Sequence, residues 1–60
     1  MKDMVQVLEK LLTDAEGCEL ISRLATDPLR RDIFKRIADQ FRLSAADVER
    51  LLRERAHTER

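Results

Sequence analysis

Apolar residues recur along this chain at the spacing of a helix face. Met1, Met4, Val5, Leu8, Leu11 and Leu12 follow the i, i+3, i+4, i+7 template. They predict a first helix over about residues 2–12, with Asp3 near the positive end of its dipole. Val7 falls beside that stripe. Cys18, Leu20, Ile21, Leu24 and Ala25 form a second stripe, predicting a helix over about 15–26. At about 100° per residue, the second stripe is rotated by roughly 160° from the first, so one straight helix cannot bury both. The phase change predicts a break near residues 13–17. Thr13-Asp14-Ala15-Glu16 supplies a capping-box pattern to restart the helix, and Gly17 either permits close helix approach or, the favoured reading, belongs to the turn itself.

Asp27-Pro28 marks the clearest boundary. Proline disfavours helical geometry at the residue before it and suits the first helical position, which leaves the Asp27 carboxylate free to cap. Leu29, Ile33, Phe34, Ile37, Ala38 and Phe41 then form the buried stripe of a helix over about 28–41. Ser44-Ala45-Ala46-Asp47 resembles a further N-cap, with Leu43 and Val48 placed for a hydrophobic staple. This predicts a turn at 42–44 and a last helix over about 44–56. On that reading Ser44→Ala costs about 1 kcal/mol. Yet Ala45, Val48, Leu51 and Leu52 stay in phase with Phe34, Ile37 and Phe41. The alternative is therefore one fused helix from Pro28 to about Ala56. Leu43 separates the two: a turn tucks it inward, whereas a continuous helix points it into solvent.

The expected fold is all-α, a compact bundle of three or four short helices forming a single domain over residues 1–60. One Gly, one Pro and many Leu, Arg, Glu and Ala agree with helix. Sixty residues bury only about 60% of the surface of the unfolded chain, so such a fold is marginal alone. Small domains add disulfides, a metal or oligomerisation. A single cysteine forms no intrachain disulfide, and Cys18 with the lone His57 makes no metal site, so no cofactor is expected. Oligomerisation remains.

Residues 33–54 resemble the helix-turn-helix motif of bacterial DNA-binding proteins. Ile37, Ala38, Phe41, Leu43, Val48 and Leu51 match its apolar and small positions, and Ser44 would open the recognition helix. The resemblance implies a transcriptional regulator using residues 28–55. Its nucleic-acid contacts would come from Arg30, Arg31, Lys35, Arg36, Ser44, Arg50 and Arg53. Two departures weigh against it. Arg42 stands where the motif usually has glycine, and Asp47 and Glu49 on the recognition helix repel phosphates.

Charge balance points the same way. Twelve basic residues cancel twelve acidic ones. Residues 1–26 carry three basic and five acidic side chains, and residues 27–60 carry nine and seven. Neither half has the positive excess of a nucleic-acid domain. No nucleophile has a recognisable catalytic companion, and a filled small core leaves no room for a small-molecule substrate, so no enzyme is expected. No stretch is apolar enough for a membrane span or a signal peptide, and the unpaired cysteine fits a reducing cytoplasm. The stripes nonetheless hold more apolar surface than one small bundle can hide. The leading expectation is a small cytoplasmic protein of bacterial type that acts by helix-mediated protein association. It would form a homodimer or bind another protein, with Val7 and Leu20 at the interface.

Overall fold

Two long helices make up the described structure, in place of three or four short ones. The computed structural model describes the backbone of residues 2–58 and the side chains of residues 3–56. Met1 and the side chain of His57 lie outside the described residues. Helix α1 spans Lys2–Leu24 and helix α2 spans Pro28–Thr58. They fold back on each other as an antiparallel hairpin measuring 50 × 15 × 11 Å. The Cα radius of gyration is 14.3 Å, against roughly 10 Å for a compact domain of this length. The expectation of a compact bundle is therefore overturned: the molecule is a rod.

The least exposed positions explain why α1 does not break. They include Met4, Leu8, Leu11, Ala15, Cys18 and Ser22 on α1, and Phe34, Ala38, Phe41, Ala45, Val48 and Leu52 on α2, with Asp14, Glu19 and Ile37 half-buried beside them. Within each helix the first-named residues recur at alternating steps of four and three, the repeat of a coiled-coil seam. This seam runs straight through residues 13–17, because its members there are Ala15 and Cys18. The two large apolar stripes of α1 need not both be buried, and they are not. Leu8 and Leu11 from the first and Cys18 from the second join the seam, while Val5, Leu12, Leu20, Ile21 and Leu24 stay exposed. Thr13–Glu16 continues the helix, with Lys10 and Asp14 paired at 3.5 Å across one turn. Gly17 is an ordinary helical residue without positive φ.

The expected turn at 42–44 is also absent. Helix α2 passes through Arg42, Leu43 and Ser44 without interruption, as in the fused alternative. Continuity keeps Phe41, Ala45, Val48 and Leu52 on the seam along the whole of α1. The cost is Leu43, which stands 69% exposed on the far side of α2. With no turn there is no separate recognition helix, so the helix-turn-helix arrangement is not formed.

The boundary at Asp27-Pro28 is borne out. The Asp27 carboxylate accepts a bond from the Leu29 amide at 3.2 Å, and its carbonyl accepts the Arg31 amide at 3.1 Å. The end of α1 is capped from across the turn: the Arg31 guanidinium Nε donates to the Ala25 carbonyl at 2.7 Å. The buried Ser22 hydroxyl donates to the Arg31 carbonyl at 2.8 Å, tying the two helices together. The turn therefore needs no left-handed residue, and among the described residues there is none.

Two substitutions test the uninterrupted helices. A Cβ built at Gly17 meets nothing within 4 Å, so Gly17→Ala raises stability by roughly 0.5–1 kcal/mol. Ser44 is an exposed mid-helix residue and not a cap, so Ser44→Ala stabilises by a few tenths of a kcal/mol instead of costing about 1. Urea unfolding followed by circular dichroism reads both signs. A loss in either variant contradicts an unbroken helix at that position.

Candidate protein-association surface

The seam buries small side chains completely and large ones only in part. Ala15, Ala38 and Ala45 are 1% exposed and Ser22 is 7% exposed. Among the described residues no side chain larger than these is fully buried. Small residues let the helix backbones approach. The larger seam residues, Leu8, Leu11, Phe34, Phe41 and Val48, remain half-buried, and Phe34 lines a groove on one flank. Two helices alone cannot enclose them.

The two flanks of the hairpin differ in chemistry. One carries Glu19 of α1 beside Arg42 of α2, whose guanidinium donates to the Glu19 carboxylate and also lies 3.8 Å from Asp39. Helix periodicity puts Lys35 and Glu49 on the same side of α2 as Arg42, and Val5 and Leu12 on the same side of α1 as Glu19. A groove near the turn on this side is lined by Ser22, Arg23, Arg31, Asp32 and Lys35. The opposite flank is apolar. Its groove near the turn is lined by Ile21, Leu24, Ala25, Arg30 and Phe34. Periodicity continues this flank through Val7 on α1 and through Ile33, Ile37 and Leu51 on α2. All of these large apolar residues are exposed except Ile37 and Phe34, which are half-buried. Asp14 and Ser44 interrupt the flank midway.

The sequence-predicted contact residues separate on this scaffold. Val7 is 44% exposed and belongs to the apolar flank. Leu20 is 51% exposed but lies on the side of α1 turned away from α2, so the two do not share a surface. The surface residues that sequence reasoning missed are Ile21, Leu24, Ile33, Ile37 and Leu51. It had assigned all of them to stripes facing a core. The proposed nucleic-acid contacts do not converge either. Arg30 lines the apolar groove, Arg31 and Lys35 line the charged one, and Ser44 sits on the apolar flank. Arg50, which donates to Asp47 at 2.9 Å, shares the outer side of α2 with Arg36 and Arg53 by periodicity, away from both grooves. Cys18 is a half-buried seam residue and a free thiol.

No family model, curated protein or solved structure matches this chain. Among the described residues no helix is long and apolar enough to cross a membrane.

The Glu19–Arg42 pair gives the charged flank a pH dependence. The hydrogen bond from Arg42, and then its charge, lower the Glu19 carboxyl from its ordinary value of 4.5. A carboxylate lowered in the folded state stabilises the fold above its unfolded pKa and loses that effect as pH falls through the lowered value. Solvent screening keeps the effect small. Glu19→Gln therefore melts slightly below the wild-type chain at neutral pH and converges with it in acid well below 4.5. Thermal melts across that range check this. A gap that persists in acid contradicts the assignment.

Proposed function

We propose that this chain is a non-enzymatic association module: a helical hairpin that completes its apolar flank against another helical surface. The observation that carries this reading is an apolar flank contributed by both helices, interrupted only midway by Asp14 and Ser44, on a molecule with no fully buried large side chain among the described residues. The molecule as a whole also exposes much surface for its mass. The chain exposes 5029 Å², whereas a compact monomer of its 7.0 kDa mass exposes roughly 4,000 Å². Clustered exposed apolar residues edged by charge are the usual mark of a protein-binding face, and here they form a larger cluster at the turn end and a smaller one, Val7 with Leu51, beyond Asp14 and Ser44. The free thiol on the seam fits a reducing cytoplasm as the compartment in which the module works.

Binding of the neutral dye Nile red tests this reading at concentrations low enough to keep chains apart. The dye brightens with the wild-type chain. Joint replacement Ile21→Lys and Ile33→Lys abolishes the response, while Leu12→Lys on the charged flank retains it. Equal brightening of the double variant refutes the assignment of the flank. Retardation of duplex DNA that strengthens steeply as salt falls would refute the association reading in favour of nucleic-acid binding.

A further inference from the structure

We infer that the occupant of the apolar flank is a second copy of this chain, so that two hairpins stack face to face as a two-fold symmetric four-helix bundle. The inference rests on the association reading above and names its partner. Three observations select a second copy.

The first is area. The chain exposes about 1,000 Å² more than a compact monomer of its mass. A standard stable interface removes about 800 Å² from each partner. One face-to-face contact therefore brings the hairpin back to the surface of an ordinary small protein.

The second is shape. The flank is a two-helix layer and not a slot for one helix. Val7, Ile21 and Leu24 come from α1, and Ile33, Ile37 and Leu51 from α2. A layer of this kind is covered along its length by another two-helix layer, and an identical one presents the same residues to itself across a two-fold axis. The stacked layer also covers the side to which the half-buried Phe34 is open, since Phe34 lines the apolar groove.

The third is charge. Twelve basic and twelve acidic residues leave a net charge of zero, so no long-range repulsion opposes pairing of like chains. By the same periodicity that places Leu24 and Ile33 on the flank, Lys10, Asp47 and Glu54 stand along its outer edge, where they can stay in water at the rim of a stacked pair, and Asp47 is paired with Arg50. Asp14 is already paired with Lys10, and Arg30 borders the groove. The denser charges of Glu19, Arg42 and Lys35 lie on the opposite flank, where they remain in solvent after stacking.

Sedimentation equilibrium and melting over about 1–200 µM test the pairing. The wild-type chain is expected at twice its 7.0 kDa mass, with a melting temperature that rises with concentration. Joint replacement Ile21→Lys and Ile33→Lys weakens dimerisation by about 100-fold or more, while Leu12→Lys and Leu20→Lys leave it unchanged. The double variant could lose its helices along with its partner, so a second measurement uses the wild-type chain alone. Isotope-filtered NOEs between labelled and unlabelled copies are expected at the methyls of Ile21, Ile33, Ile37 and Leu51. Intermolecular NOEs from Leu12, Leu20 or Leu43 instead would overturn the proposed face. A wild-type monomer at every concentration would overturn the second copy. If that monomer still binds Nile red through Ile21 and Ile33, the association reading stands and the partner is a different helical protein. If it does not, both readings fall.

Discussion

Close approach of two helix backbones along a seam of small residues governs the rest of this molecule. Ala15, Ala38 and Ala45 are almost wholly buried, and Ser22 nearly so. Their size sets the separation of α1 and α2. A narrow separation satisfies the small side chains and leaves no volume between the helices for the large ones. Phe34, Phe41, Leu8 and Leu11 are therefore only half-buried, and most of the large apolar residues beside the seam stay in water. The elongated shape, the missing core and the apolar flank all follow from that spacing.

The turn holds the same register by polar means. Pro28 and the Asp27 cap fix where α2 begins, and Arg31 closes the end of α1 by bonding the Ala25 carbonyl. The Ser22 hydroxyl reaches the Arg31 carbonyl from inside the seam. One arginine thus serves both helices, with its side chain on the end of α1 and its carbonyl bound to the seam. A basic residue read as a candidate phosphate contact is engaged in closing the hairpin.

The two flanks divide the remaining surface. Antiparallel pairing sets Glu19 against Arg42 on one side and aligns α1 and α2 apolar residues on the other. This division gives the hairpin a direction in which association lowers its free energy. Pairing through the charged side would require removing Arg42 and Glu19 from water, at a cost that their mutual attraction does not reliably repay. Pairing through the other side removes mainly hydrocarbon from water.

Much of the local structure was legible in the residues themselves. Helical character followed from composition and periodicity, and the boundary at Asp27-Pro28 followed from the covalent geometry of proline and the reach of an aspartate cap. Both depend on neighbours a few positions apart. The continuity of each helix was not legible in the same way. The break expected at 13–17 rested on the rule that large apolar stripes must be buried. The turn expected at 42–44 rested on a cap pattern worth about 1 kcal/mol. Tertiary pairing overruled both, because a seam of alanines, a cysteine and a serine runs unbroken where the large side chains change phase. Leu43, Leu20 and Leu24 were left outside to keep that seam intact. The candidate surface was hidden for the same reason. Ile21, Ile33 and Leu51 have the periodicity of core residues, and only the spacing of the two helices decides that they face outward. Sequence by itself determined helices and their one turn, through short-range geometry. Which apolar residues are inside was decided by the packing of α1 on α2, because burial depends on the size of residues distant in the chain.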